Sequence, residues 1–558
     1  MSSLNDPWRI DAVAQSLGLG PDDYEPVGWH KAKLALGLLE RFQSRPGARY
    51  IDVSAISPTP LGEGKTVTTI GLAMGLARLG HRAIATLREP SLAPVFGIKG
   101  GGAGGGKATL FPADDINLHF TGDIHAVTSA NNLLAAMIDN HIKRRKMPLI
   151  DPSSVTWRRV LDMNDKGLAH IVTGLDDVPQ APLRETGFEL TAASEVMAVL
   201  ALTTGLADLR VRLGRIVVGR TPEGQFVTAE ELGAAGAMAA LLKDAIRPNL
   251  VQTCEHTPAI VHSGPFGNIA HGNSSVLADL AALRLADFVV TESGFGSDCG
   301  AEKFFDIKCR ARGLRPDVEV LVATVRALKM QSGRFNVRPG KPIPRELFQE
   351  NVDALQAGAC NLQAHLDIVR QFGLPTVVAV NRFPEDTEQE LELVRRIALE
   401  GGAAAAPISD AFRRGGQGAT NLASAVVEAA KGNSRFDFLY PLDMPLVEKI
   451  RTLATRLYGA QEVEFQAPAR RQLEQFTQGG FANLPVCIAK TQYSLSHDPT
   501  LLGRPTGFRF PIRDVRLAAG AGFVYALAGE IQTMPGLPSV PAACHIDLDP
   551  SGEIRGLS

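Results

Sequence analysis

Long apolar runs are missing from this sequence. No stretch of about 18 apolar residues, the length a membrane-spanning helix needs, occurs in the 558 residues; the densest, Val196–Leu206, is cut by two threonines and a glycine. Cysteine is scarce as well. Cys254, Cys299, Cys309, Cys360, Cys487 and Cys544 include no Cys-x-x-Cys pair, which excludes a disulfide scaffold and leaves scattered reduced thiols of a cytoplasmic protein as the expectation. Nor is there an excess of one charge. Lys and Arg total 57 against 59 Asp and Glu, a net charge of −2, so a surface built throughout for nucleic acid or an anionic membrane is excluded. The first residues carry no basic stretch followed by an apolar one, so no secretory signal is expected. The 55 glycines and 35 prolines are spread along the chain rather than gathered in a tail, and no internal repeat is present.

What is there is an ordinary globular composition, 45% hydrophobic and 21% charged. At roughly 150 residues per domain the length predicts about three or four domains, or one large core with smaller ones attached. Short apolar runs rich in β-branched residues mark strands at Tyr50–Ser54, Ala83–Leu87, Arg215–Val218, Phe288–Thr291, Val320–Thr324 and Thr376–Val380. Helix-period segments lie among them, at Ala130–His141, Ala192–Leu202 and Val276–Leu285. This alternation predicts an α/β fold, a mostly parallel sheet covered by helices on both faces. From about Leu457 short segments, several punctuated by Gly and Pro, suggest a separate C-terminal domain. The expected division is 1–350, 351–455 and 456–558.

The strongest local signal is Ser57-Pro58-Thr59-Pro60-Leu61-Gly62-Glu63-Gly64-Lys65-Thr66. It follows an apolar strand and precedes a helix whose Val67, Ile70, Met74 and Ala77 share a face, with Gly80 placed to stop it. A Gly-x-Gly-Lys-Thr string at a helix N-terminus is the arrangement of a phosphate-binding loop. Glycines let backbone N–H groups close around phosphate oxygens, Lys65 reaches the β- and γ-phosphates, and the Thr66 hydroxyl ligates Mg²⁺. The strict pattern has glycine where Thr59 stands, so this is a variant, read as binding a nucleoside triphosphate.

Ligands of open parallel sheets bind beyond the carboxyl ends of the strands. The strand after the loop helix ends in Leu87-Arg88-Glu89-Pro90-Ser91. If it lies beside the first strand, as sequential strands usually do, Arg88 points at the γ-phosphate region, where a guanidinium holds a carboxylate or neutralises a moving phosphoryl group; a surface ion pair at a strand end is the alternative. The glycine run Gly97–Lys107 suits either a mobile lid or a plain flexible loop. His119-Phe120-Thr121-Gly122-Asp123-Ile124-His125 matches no zinc spacing and reads as polar residues near a site. Lys143–Lys146 reads as a solvated helix end. Asn381-Arg382-Phe383-Pro384 puts an aromatic at the sheet edge, either stacked on a flat ligand or in the core.

These strings resemble the formate–tetrahydrofolate ligase family, also called formyltetrahydrofolate synthetase. The resemblance runs through Thr59–Thr66, Arg88–Ser91, Asp115–Asp123, Ser129–Leu134, Gly264–Phe266 with His271-Gly272, Gly300–Asp306, Lys490–Ser494 and Met534–Pro538. It implies ATP-dependent ligation of formate to N10 of tetrahydrofolate through formyl phosphate, yielding ADP and phosphate. It assigns Thr59, Pro60, Leu61, Gly62, Glu63, Gly64, Lys65 and Thr66 to the nucleotide, with Mg²⁺ on Thr66 through the nucleotide. Lys65, Arg88 and Asp123 would be catalytic, with Arg88, Lys107 and His119 near formate or formyl phosphate. Phe383, Pro384, Ile408 and Phe412 would line the pterin slot. A homotetramer activated by a monovalent cation, K⁺ or NH₄⁺, is implied too.

Three departures from the family pattern stand out. Lys107 replaces the usual tyrosine, Phe412 replaces the tryptophan that stacks on the pterin, and Met330-Gln331-Ser332-Gly333 opens a longer stretch reaching about Phe348. Phenylalanine stacks with less area, so weaker folate binding is expected. Two other readings compete: a nucleotide-driven switch without folate chemistry, and a silenced paralogue, against which the presence of Lys65, Thr66, Arg88 and Asp123 argues.

Overall fold

The computed structural model describes residues 6–43, 45–97, 101–175, 182–266, 269, 271–335, 337, 343–432, 434–529 and 533–557. Ile98, Lys99 and Gly100 of the glycine run, Gly267, Asn268 and Ala270, and part of the stretch after Gln331 lie outside these residues. A single twelve-stranded sheet organises the chain. Its strands are β1 (Tyr24–Pro26), β2 (Ala32–Leu34), β3 (Arg49–Ala55), β4 (Ala83–Leu87), the short Gly104–Gly105 pair, β5 (Ala108–Phe111), β6 (Asn249–Thr253), β7 (Pro258–Val261), β8 (Phe288–Glu292), β9 (Val318–Ala323), β10 (Thr376–Asn381) and β11 (Ile408–Ser409). The spatial order is β1-β2-β6-β7-β4-β8-β3-β9-β10-β11, with β5 paired to β6. From β7 to β11 all neighbours are parallel, while β1, β2, β5 and β6 add an antiparallel flank.

The central strands are Val-, Ile- and Ala-rich because parallel strands are buried on both faces. Ile51 and Val53 pack with Ile70 and Met74 of helix α1 (Lys65–Arg78), whereas Tyr50 faces the opposite core with Phe304 and Phe305. Three further helices matter below: α2 (Asp123–Lys143), α3 (Val325–Gln331) and α4 (Val352–Gln371). A smaller C-terminal sheet joins Val486–Ala489, Phe523–Leu527 and Asp514–Ala518. It shares a core with the main sheet, since Val486, Ile488, Val515 and Val524 belong to the cluster of Tyr50 and Phe304.

Two expectations are corrected. The strand after the loop helix, β4, does not adjoin β3; β8 lies between them, in register with both. The run at Arg215–Val218 is not a strand of the parallel sheet. The strand there is Val217–Arg220, which folds back on Phe226–Thr228 as an antiparallel hairpin. Its tight turn, closed by Thr221 and Gln225 with Gly224 at φ +90°, overrides the β-branched pattern that suggested a sheet strand.

Alternation along β3 puts Tyr50, Asp52 and Ser54 on one face, and they carry buried polar chemistry. Asp52 stands in register with Glu319 of β9. The Ser293 hydroxyl donates to both Asp52 oxygens at 2.8 and 2.9 Å, and the Ser54 hydroxyl donates to Glu319. Burial raises the Asp52 pKa to about 7 and that of Glu319 well above the usual range; two adjoining carboxyls in one dry site cannot both ionise. Nearby, Lys308 and the Tyr50 hydroxyl both bind Asp279 with no solvent access.

An acid with a raised folded pKa binds more protons folded than unfolded between pH 4 and 7, so it removes stability as pH rises through that window. Urea unfolding at pH 5 and pH 8 will show a smaller loss on going alkaline in Asp52→Asn than in the wild type, because asparagine keeps a polar group and cannot ionise. An unchanged slope contradicts the shared-proton reading.

Candidate active site

At the carboxyl end of β3 the chain turns through Ser57–Gly64 into α1. Gly62 and Gly64 have φ of +76° and +71°. A Cβ on Gly64 would lie 2.4 Å from Asn381 Nδ2, so glycine is required there by both conformation and space. The loop is held from within by Glu63, which is fully buried. Its carboxylate accepts the Thr59 N–H at 2.6 Å and the Thr324 hydroxyl from the end of β9. From the end of β10, Asn381 Nδ2 donates to the Glu63 carbonyl at 2.9 Å, and Arg326 of α3 donates to the Gly62 carbonyl. The Arg326 guanidinium also lies 3.6 Å over the Phe383 ring. The result is a fixed concavity of backbone at the N-terminus of a 14-residue helix, with Lys65 and Thr66 in its first turn. Such a site attracts anions. Thr66 has no hydrogen-bond partner on its hydroxyl among the described residues, so that oxygen remains available as a hard donor.

Arg88 leaves the end of β4. With β8 interposed, the β3 and β4 axes are about 10 Å apart. Arg88 is half-buried; its guanidinium donates to the Pro265 carbonyl at 3.3 Å, lies against Gly294, and forms no ion pair with any described residue. Burial lowers its pKa and the Glu292 charge at the end of β8 opposes this; it stays cationic. The surface ion pair at a strand end is therefore not what the structure contains.

Sequence reasoning passed over the roles of two residues beside it. Glu89 is buried, no described residue donates to its carboxylate, and burial together with Asp123 raises its pKa well above normal. His271 is fully buried with neither ring nitrogen hydrogen-bonded among the described residues; burial, then Lys308 and Arg88, hold it neutral. Both sit inside the matched strings, and the strand-end rule that singled out Arg88 applies equally to Glu89.

Asp123 opens α2 in a buried ion pair. Lys33 Nζ reaches its two oxygens at 2.6 and 2.7 Å, and Asn249 Nδ2 adds a bond at 2.9 Å. His119 is exposed; Asp162, which accepts the Ser91 hydroxyl, has its pKa raised by burial. Among the described residues no three His, Cys, Asp or Glu side chains converge as metal ligands.

Lys107 is brought to Phe412. Its N–H donates to the Phe412 carbonyl at 2.8 Å, and the Phe412 ring, about half exposed, lies on Gly105 and Gly106. Two of the departures noted above are thus neighbours. Ile408 pairs with Val380 on the adjoining strand, and exposed Pro384 follows Phe383 beside the loop. The third departure ties distant parts of the chain together, because Gln331 binds Gly503 and Tyr493 of the C-terminal region.

A family model described as formate–tetrahydrofolate ligase matches residues 1–558. The chain belongs to this family. Among proteins carrying that name it is 57% identical over 549 residues to one from Roseiflexus castenholzii and 56% identical over 549 residues to one from Saccharopolyspora erythraea, in each case covering 98% of this chain and 97% of the relative. A third, from Herpetosiphon aurantiacus, is 52% identical over 557 residues, covering 99% of this chain and 98% of the relative. No helix among the described residues is long and apolar enough to cross a membrane.

Gly64 is the point of the Ser57–Thr66 loop where a side chain has least room. Gly64→Ala is expected to lower ligase turnover at least ~10-fold while the thermal midpoint shifts by only a few degrees, since the clash is with one side chain, Asn381, at the edge of the loop. Enzyme assay and a calorimetric melt check this together.

Proposed function

We propose that the chain joins formate to N10 of tetrahydrofolate at the expense of ATP, along the carboxyl edge of the main sheet. The observation that carries this reading is a guanidinium, Arg88, that forms no ion pair with any described residue and stands one strand removed from a glycine-containing loop at a helix N-terminus. The spacing leaves room for a γ-phosphate and a formate between two cations. In the first step a formate oxygen bonds to the γ-phosphorus while the bond to ADP breaks, giving formyl phosphate. N10 then bonds to the formyl carbon, phosphate leaves, and N10 gives up its proton. Both reactants of the first step are anions, so catalysis there is positioning and charge neutralisation.

In this reading the backbone of Thr59, Pro60, Leu61, Gly62, Glu63 and Gly64 surrounds the phosphates, with the Glu63 side chain turned inward to fix the loop. Lys65 meets the β- and γ-phosphates, and Arg88 holds formate and formyl phosphate. His119 borders that site. Asp123 acts through its neighbours, keeping Lys33 in place and raising the proton affinity of Glu89. Lys107 stands beside Phe412, so its cation serves the rim between the anion site and the folate slot. That slot is formed by Phe383, Pro384, Ile408 and Phe412. Residues 1–350 would bind nucleotide and formate, 351–455 add the folate wall, and 456–558 brace the loop from below.

The free Thr66 hydroxyl fits a Mg²⁺ ligand, and magnesium bound there with the nucleotide neutralises phosphate charge. The undonated Glu89 carboxyl fits a monovalent cation such as K⁺ or NH₄⁺, taken up in exchange for its proton. A cytoplasmic homotetramer completes the proposal; Met147, Leu175 and Leu183, 77%, 69% and 66% exposed, are apolar surface that subunit contacts would cover.

Steady-state kinetics test the roles. Lys65→Ala and Arg88→Ala should each lower kcat by about 10²–10³-fold, the first raising KM for ATP and the second raising KM for formate. Turnover close to wild type in either variant would refute the assignment of charge neutralisation.

A further inference from the structure

Ser57, the first residue of the loop, is fully buried, and its N–H and hydroxyl are taken up by side chains of α4. Its N–H donates to Asn361 Oδ1 at 3.2 Å; no other bond to that N–H occurs among the described residues. Asn361 Nδ2 donates to the Ser57 hydroxyl at 3.0 Å and to the Gly503 carbonyl at 2.9 Å. One turn along α4, on the same face, His365 Nε2 lies 3.1 Å from the Ser57 hydroxyl and Nδ1 lies 2.7 Å from the Ser297 hydroxyl. Burial lowers the His365 pKa to about 4, opposed by the Asp298 charge, so the ring is neutral, one nitrogen donating and the other accepting between the Ser57 and Ser297 hydroxyls.

The C-terminal segment 490–503 is gripped at both ends of this network. Lys490 makes a fully buried ion pair with Asp298, the residue after Ser297. Gly503, at φ +72°, donates its N–H to Gln331 Oε1 at 2.8 Å, and a Cβ there would sit 2.9 Å from Cys360 Sγ. Among the described residues, Asn361 is therefore the single side chain that bonds both the loop and this segment.

We propose that Asn361 and His365 are positioning residues that couple docking of segment 490–503 to the Ser57–Gly64 loop, so that nucleotide binding and docking reinforce each other. The coupling rests on the reading that this loop binds ATP. Removing Asn361 leaves the Ser57 N–H buried without an acceptor and the Gly503 carbonyl without its donor. Linkage makes the effect reciprocal: whatever docking does for ATP affinity, ATP does for docking.

The test uses the full-length protein and Mg·ATP. In the wild type ATP is expected to slow amide hydrogen exchange across 490–503. Asn361→Asp keeps the acceptor for the Ser57 N–H but loses both donors. It should raise the Kd for ATP at least ~10-fold, within the usual range of such couplings, and abolish the ATP-dependent protection of the segment. Gln331→Ala, which loosens Gly503 from its other side, should do the same to a smaller degree and keeps the test intact if the first variant folds poorly. A purely structural role predicts a lower melting temperature with ATP affinity and protection unchanged, and that result overturns the proposal. Wild-type protein that fails to bind ATP overturns the underlying reading of the loop instead.

Discussion

Glu63 places a carboxylate where solvent does not reach it, with one oxygen taken by the Thr59 amide and the other by the Thr324 hydroxyl. Opening the loop would leave that buried carboxyl without its two donors. A buried polar group stripped of its hydrogen bonds costs about 1–3 kcal/mol, more than a single surface ion pair contributes. The loop's shape therefore depends on the ends of three strands, β3, β9 and β10, meeting at one place. Those strands meet because their apolar sequences are buried on both faces. The site's geometry is thus a consequence of core packing as well as of the loop's own glycines.

The sheet order sets the second dimension. Because β8 separates β3 from β4, Arg88 stands about two strand spacings from the loop. A guanidinium on the adjoining strand would crowd the same phosphate as Lys65. One strand farther away, it leaves space between the two cations, which suits the proposed reaction between two anions. The buried Asp52–Glu319 pair and the Lys308–Asp279 and Lys490–Asp298 ion pairs place uncommon polarity in this core. Removing one partner of such a pair costs about 3–5 kcal/mol, so they tie the C-terminal region and the face opposite α1 to one arrangement.

Local signals in the sequence carry much of this. The strand Ala83–Leu87, the helix Val276–Leu285 and the helix beginning at Lys65 and stopping at Gly80 are set by nearby residues, and they stand where the periodicity puts them. The α/β class and the family are legible for the same reason: long strings of particular residues at strand ends. Contacts between distant segments are not. Glu63 looks like a nucleotide ligand because Thr324, its partner, caps a helix far along the chain. Asp123 gives no hint of Lys33, nor Lys107 of Phe412. The hairpin at Val217–Arg220 escapes a reading by composition because turn closure at Thr221–Gln225 outweighs β-branched content. The insertion of β8 between β3 and β4 is a matter of topology, which adjacency in sequence does not encode.

The most direct test of the account is formyl-folate synthesis by the purified protein with ATP, Mg²⁺, formate and tetrahydrofolate, each left out in turn. The account predicts 10-formyltetrahydrofolate and ADP in equal amounts, and only when all three substrates are present. ATP hydrolysis that proceeds without formate or folate, with no formylated product, would contradict it and mark the loop as the motor of a nucleotide switch.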